Sequence, residues 1–234
     1  MILFFIIGLT LGSFANVLIR RLPQKNINLS TPSHCFQCAH PLSWFELIPI
    51  ISWCIQKGRC KHCNYSIPLL YPLLEGTIAV SFIICFNLSS HLLVACLLSL
   101  LSYFFILVIV IDFREKIILN WLNIAISITI LCLQLAENKD ISLVFPATFI
   151  TAFVGLGLKT AFVKIKNVHA LGGGDIKLMS ALSLGLEVQQ LPFWFFLSGG
   201  LGLLTAIIWT KIKQEKRFPF GPALVIGFIV TYLT

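Results

Sequence analysis

Two carboxylates and four thiols carry most of the chemistry that this sequence could do. Asp112 ends an apolar run in "FILVIVIDFREKIILN", and Asp175 follows three glycines in "ALGGGDIKLM". An ionisable group placed in or at the edge of a lipid-spanning segment costs about 2.5–3.5 kcal/mol at mid-span, so such groups mark function. Two carboxylates held close cannot both ionise easily; they share a proton. One can then activate water as general base while its protonated partner polarises a carbonyl, which is the chemistry of an aspartic peptidase. Each aspartate also has a plainer role. Asp112 precedes Arg114 and Lys116 and could sit in a charged interfacial turn, and Asp175 could simply cap a helix. Gly172, Gly173 and Gly174 turn the chain or let a substrate backbone approach closely. "GGGDIK" is no nucleotide loop, because it lacks both the Lys-Ser/Thr ending and a third glycine at dinucleotide spacing.

The thiols fall in pairs. "CFQC" (Cys35, Cys38) and "CKHC" (Cys60, Cys63) are separated by 21 residues. Two C-x2-C knuckles offer the soft tetrahedral set that zinc prefers, and four cysteines leave no open position for water. Such a metal staples a loop rather than catalyses. Redox chemistry and four free thiols are the alternatives. Cys54, His34, His40 and His62 stand nearby as substitute ligands, whereas Cys85, Cys96 and Cys132 fall in apolar runs as small hydrophobic residues. Other catalytic sets are absent: there is no G-x-S-x-G and no H-E-x-x-H. "GLTLG" (Gly8, Gly12) has the spacing that lets helices pack closely. Glu75 is the third carboxylate that falls within an apolar segment.

The elements that must position these groups are membrane helices. The chain is 58% hydrophobic and 11% charged, with a mean hydropathy of +0.94, against about 25% charged in soluble domains. Runs near the roughly 20 residues needed to cross a bilayer lie at 1–19, 69–87, 91–111, 117–136, 141–162, 176–187, 192–210 and 219–234. The sixth is short. The fold class expected is an all-α polytopic membrane protein of about eight transmembrane helices. It divides into a first span (1–19), a cytoplasmic four-cysteine loop (20–68) and a transmembrane core (69–234). The loop is too small to bury much surface without a staple. With the first residue outside, the connections that face the cytoplasm hold all of the 17 Lys and Arg except Lys139. Dropping one span would scramble that alternation. Both termini are therefore expected outside, with Asp112 and Asp175 at the cytoplasmic edge. The net charge of +8 is accounted for by this bias and requires no nucleic acid.

Several motifs together resemble a known family. "GSFANVLIRRLP" (12–23), the paired knuckles, "LIPIISW" (47–53), "GRCKHC" (58–63), "YPLLEG" (71–76), "GGGD" (172–175) and "PFGPAL" (219–224) look like the type IV prepilin peptidases, in order and spacing, over nearly the whole chain. The resemblance implies a polytopic inner-membrane aspartic peptidase. Such enzymes cleave the short basic leader of prepilins or pseudopilins after glycine, at the cytoplasmic face. Many then methylate the new N-terminal amine from S-adenosylmethionine. By resemblance the catalytic aspartates are Asp112 and Asp175, the zinc ligands Cys35, Cys38, Cys60 and Cys63, and Glu75 is attached to methylation. One departure stands out: family members often have Leu-Pro-Asp where this chain has "ILN", so Leu119 replaces the proline and Asn120 a second aspartate.

Three other functions are compatible with parts of this sequence. A transporter would run protons or cations along Asp112, Asp175 and Glu75, but it calls for carboxylates spread over depth and an inverted repeat, and no repeat is visible. A membrane thiol–disulfide enzyme would need its cysteines on the oxidising side, opposite to the charge bias. A peptidase that cleaves without methylating keeps the same fold.

Overall fold

The computed structural model describes residues 1–22, 31–140, 142, 144–166, 172–215 and 217–234. Lys25 and Lys216 of the charge pattern, Pro23, and the Ala170–Leu171 lead into the glycines lie outside the described residues. Each of the eight apolar runs contains a helix, and no strand occurs among the described residues. The chain forms two compact units, residues 1–103 and 104–234, with one long helix running through the boundary.

In the first unit, α1 (Ile2–Arg21) packs against α3 (Leu70–Leu88), and the four-cysteine loop connects them. Glycine allows the close approach. A Cβ on Gly8 would sit 2.6 Å from the Ala79 Cα, and one on Gly12 would sit 2.7 Å from the Glu75 Cα. The small-residue spacing in "GLTLG" thus does the helix packing expected of it. A 3-10 turn (Trp44–Leu47) and the short α2 (Ile51–Ile55) are the loop's helical pieces. The unit closes with the first half of α4 (Leu92–Glu115).

The second unit holds the end of α4, α5 (Asn120–Ala136), α6 (Val144–Lys166), α7 (Gly173–Ser183), α8 (Leu191–Lys213) and α9 (Gly221–Leu233). Both α8 and α9 begin with proline in the first turn, where its missing N–H costs nothing. The α7 helix is the centrepiece, in contact with α5, α6 and α9. It buries Ile176, Leu178, Met179, Ala181 and Leu182. Buried side chains stitch the rest: Gln134 Nε2 donates to the Leu184 carbonyl at 3.3 Å, and Trp194 Nε1 to that of Leu224 at 3.3 Å.

Large apolar side chains on the outer faces, such as Phe149, Phe153 and Phe196, are open to the surroundings. Helices that are apolar on every side belong in a membrane. Among the described residues, five are long and apolar enough to cross one: α1, α3, α4, α6 and the run from Val188 through α8. The α5 and α9 helices are apolar but have 17 and 13 residues. With 11 residues, α7 spans only about 16 Å at 1.5 Å per residue. The protein is a multi-pass membrane protein.

Candidate functional site

Asp112 lies in the last turn of α4 and is 3% exposed. The amide of Gly221, at the start of α9, donates a 2.7 Å hydrogen bond to its Oδ2. Glycine is needed there, because a Cβ would stand 2.9 Å from that same oxygen. Asp175 occupies the first turn of α7, and its Oδ2 accepts a 3.0 Å hydrogen bond from the Gly172 amide. This is the reciprocal half of a capping box. Both carboxylates thus lie against the N-terminal turn of a helix, where free amides and the helix dipole suit negative charge. Asp175 is close enough for its charge to act on Asp112.

The three glycines do different work. Gly172 has an ordinary φ of −69°, yet a Cβ on it would meet Asp175 Oδ2 at 2.7 Å. A Cβ on Gly174 would press on Ile118 at 3.2 Å, while one on Gly173 meets nothing nearer than Lys159 Nζ at 3.9 Å. Gly172 and Gly174 seat the chain's own atoms, and Gly173 alone leaves space for another backbone.

The "ILN" departure keeps its geometry. Leu119 has φ −75°, within the range proline would fix. Asn120 opens α5, and its Oδ1 accepts a 2.8 Å hydrogen bond from Lys177 Nζ, two residues beyond Asp175. Lys116, in the turn after α4, pairs with Glu215, which also accepts a 3.1 Å hydrogen bond from Trp209 Nε1. Reading the residues did not single out Gly221 or the Asn120–Lys177 pair as parts of the site. The available signal was glycine followed by proline at a helix start in "PFGPAL", together with a lysine one half-turn past Asp175.

In the first unit, Cys35, Cys38, Cys60 and Cys63 place their Sγ atoms within 4.8 Å of one another, an arrangement that could hold a metal ion. The two knuckles are built alike. In each, the first cysteine N–H donates five residues ahead (Cys35 to the His40 carbonyl, 2.9 Å; Cys60 to that of Tyr65, 2.8 Å). In each, the residue after the second cysteine has positive φ, 55° at Ala39 and 58° at Asn64. This backbone aims N–H groups at the sulfurs. Hydrogen bonds, first that from the Cys38 amide, hold the Cys35 thiol down to about 6. Beside the knuckles, Glu46 accepts hydrogen bonds from the Ser43 amide and hydroxyl, both 2.8 Å, and the Ser43 amide holds its carboxyl below the usual range.

Glu75 lies in the second turn of α3 and is 7% exposed. Its Oε2 accepts a 2.7 Å hydrogen bond from the Ile50 amide. Ile50 has φ +59° and ψ −50°, with Ile51 N–H donating to the Pro49 carbonyl at 2.5 Å. That is a tight three-residue turn in a conformation a β-branched residue seldom adopts. A cavity of the same unit is bounded by Arg20, Phe36, Trp53, Tyr65, Tyr71 and Glu75, among others. The Arg20 guanidinium lies 3.8 Å from the Phe36 ring centroid and 5.6 Å from that of Tyr71.

Known proteins are similar in sequence along the whole chain. Residues 6–88 match the bacterial peptidase A24 N-terminal domain, and residues 99–207 match the type IV leader peptidase family. A prepilin leader peptidase/N-methyltransferase of Bacillus subtilis is 33% identical, covering 98% of this chain and 92% of that protein. The chain belongs to the type IV leader peptidase family. A protein of the same name from Vibrio cholerae is 28% identical over 100% of this chain and 96% of its own. A type 4 prepilin-like proteins leader peptide-processing enzyme of Escherichia coli is 30% identical, over 96% and 90%. No solved structure matches. The N-terminal match falls within the unit that holds the cysteines, and the peptidase match takes in both aspartates.

Proposed function

We propose that this chain is a membrane-embedded aspartic endopeptidase that removes the leader of type IV prepilins or pseudopilins, and that it then methylates the new N-terminal amine. The observation that carries the reading is the pairing of Asp112 and Asp175 in one unit, each tethered through Oδ2 to the amide of a glycine at a helix start. The names of the relatives support both activities. The ionised carboxylate takes a proton from water, whose oxygen attacks the scissile carbonyl carbon. The protonated partner gives its proton to the carbonyl oxygen. When the tetrahedral intermediate collapses, the C–N bond breaks and the amine leaves with a proton from the dyad. Glycine at 173 gives the substrate backbone room beside Asp175.

In the topology that supports this reading, all eight helical segments cross or enter the bilayer, both termini lie outside, and the dyad and the cysteine loop face the cytoplasm. The supporting observation is charge: Lys139 alone falls on the outer side. The placement suits a substrate whose scissile bond adjoins an apolar helix, since irregular backbone at membrane depth is tolerated where it lines a cavity.

Zinc is the metal the four thiols suit. Zn–S bonds of about 2.3 Å put tetrahedral sulfurs ~3.8 Å apart, and Cys35 Sγ lies 3.7 Å from Cys63 Sγ. It would tie the loop's two knuckles together. S-adenosylmethionine suits the cavity of the first unit: Phe36, Trp53, Tyr65 and Tyr71 offer rings for an adenine and a sulfonium, and Arg20 offers a guanidinium for a carboxylate. When bound, it supplies an activated methyl group.

The deciding experiment is cleavage of a co-expressed prepilin by wild type and Asp175→Asn, at matched membrane levels. Loss of cleavage in the variant is expected. Retained cleavage would reduce Asp175 to a helix cap. Transfer of radiolabelled methyl to the cleaved product tests the second activity separately.

A further inference from the structure

The four-cysteine loop is tied down at the membrane edge, and the way it is tied leaves an apolar face open. Asn16 Nδ2, near the end of α1, donates to the Tyr71 carbonyl at the start of α3, at 3.4 Å. The start of α3 therefore lies level with Asn16, and α1 runs on from there to Arg21. From there the loop folds back. The Ile50 amide reaches Glu75, the sixth residue of α3, which is roughly 8 Å along the helix axis from its start. Trp53 Nε1 donates to the Ile67 carbonyl at 3.1 Å, just ahead of α3. Residues 44–55 thus lie beside the first turns of a candidate membrane span, not beyond its end.

The side chains at that level are apolar and uncovered. Trp44 is 69% exposed, Phe45 57%, Ile51 56% and Ile55 75%. The Trp44 and Phe45 ring centroids lie 3.8 Å apart, with the planes tilted by 31°. On α3, Leu69, Leu70 and Leu73 are also exposed, so the strip continues onto the span. Basic residues follow at once: Lys57, Arg59 and Lys61 are all exposed. Tryptophan and phenylalanine beside a cluster of cations form the pattern of a surface-lying membrane anchor, with apolar side chains in the acyl boundary and cations at the phosphates. Residues 44–55 would otherwise leave an apolar patch in water of a kind that soluble surfaces avoid.

We propose that residues 44–55 are a membrane-surface anchor. Trp44, Phe45, Ile51 and Ile55 insert among the headgroups of anionic phospholipids, and Lys57, Arg59 and Lys61 meet their phosphates. The knuckles and the cavity walls then lie on the bilayer. A protein partner fits less well, because the open strip is continuous with the lipid-facing side of α3 and follows the level of the bilayer edge. The inference does not rest on the proposed catalysis; it needs only that α1 and α3 span the membrane.

The test uses the full chain in vesicles of phosphatidylglycerol and phosphatidylethanolamine, with p-benzoylphenylalanine replacing Trp44 or Ile55 in turn. Gln37, an exposed polar residue of the first knuckle, serves as the third site. A protease-cleavage pattern of the loop unchanged from wild type shows that each variant keeps its loop. After irradiation, mass spectrometry is expected to find phospholipid adducts at 44 and 55, at least about fivefold above those at 37. Adducts with peptides from residues 104–234 or with a co-reconstituted prepilin would overturn the proposal, because the face would then be a protein contact. Equal lipid labelling at all three sites, or none at 44 and 55, would overturn it as well.

Discussion

Asp112 and Gly221 lie 109 positions apart in the chain and are joined by a 2.7 Å hydrogen bond from the glycine amide to the carboxylate. The first turn of α9 thereby fixes the end of α4. A methyl group on Gly221 would stand 2.9 Å from Asp112 Oδ2, closer than real Cβ contacts allow, so the carboxylate has to move. Misplacement of a catalytic group by about 1 Å costs on the order of 10²-fold in rate. Gly221→Ala is therefore expected to lower prepilin cleavage about a hundredfold while the protein still inserts. Cleavage kinetics in membranes, with quantified protein, check this. An unchanged kcat would mean that the carboxylate does not depend on α9.

The Asn120–Lys177 hydrogen bond joins the first turns of α5 and α7. Lysine needs only an acceptor oxygen there, and asparagine and aspartate both provide one. Asn120→Asp should therefore leave cleavage within about threefold of wild type. Asn120→Leu removes the acceptor and frees Lys177 beside Asp175; a hydrogen bond to a charged group contributes about 1.5–3 kcal/mol where it is sheltered, and less at this exposed lysine. A loss of cleavage of about tenfold is expected for the leucine variant, with Lys177→Met behaving alike. If the double variant lost the product of the two effects, the pair would not be coupled.

Much of this was legible in the chain. Every apolar run contains a helix, because segments apolar on all sides have one stable form in lipid. The four cysteines meet as their C-x2-C spacing suggests, since each knuckle is a local turn. What the sequence hid was long-range and steric. Gly172 reads as a flexible residue, but its backbone is ordinary and its missing Cβ is occupied by Asp175. Gly221 reads as a helix-start glycine next to proline, and only tertiary packing brings Asp112 against it. Ile50 is the sharpest case. No propensity places isoleucine at φ +59°; Glu75, 25 residues on, accepts its amide and supports the turn.

That turn separates two roles for Glu75. As a positioning residue, it holds residues 49–51 by accepting the Ile50 N–H, and glutamine can accept the same bond. As a proton acceptor during methyl transfer, it must ionise, and glutamine cannot. If Glu75 positions, Glu75→Gln should keep methylation within a fewfold of wild type, whereas Glu75→Ala leaves a buried amide unpaired at about 1–3 kcal/mol and should expose residues 44–57 to protease. Loss of methylation in both variants, with proteolysis unchanged in the glutamine variant, would instead assign Glu75 to the chemistry. Prepilin cleavage, measured in parallel, is expected to survive in both.

Metal retention should follow the thiols. Backbone hydrogen bonds, chiefly that from the Cys38 amide, hold the Cys35 thiol below the ordinary thiol range, while Cys63, hydrogen-bonded to the other three thiols, is pushed above it. A thiol whose folded pKa is depressed stabilises the fold above its unfolded value, and that contribution is lost as pH falls through the folded one. Protons and metal compete for the same sulfurs. Purified protein should therefore hold about one zinc ion per chain near neutral pH and release it as the pH falls into the acidic range, where protons displace it from the sulfurs, with a zinc-sensitive dye as the readout. A strong chelator at neutral pH should make residues 31–66 protease-sensitive, because the loop has little core of its own. Cys60→Ser should lose most of the metal yet still insert. Protein that binds no zinc at neutral pH, or that keeps it unchanged down to about pH 4, would rule out the thiolate site.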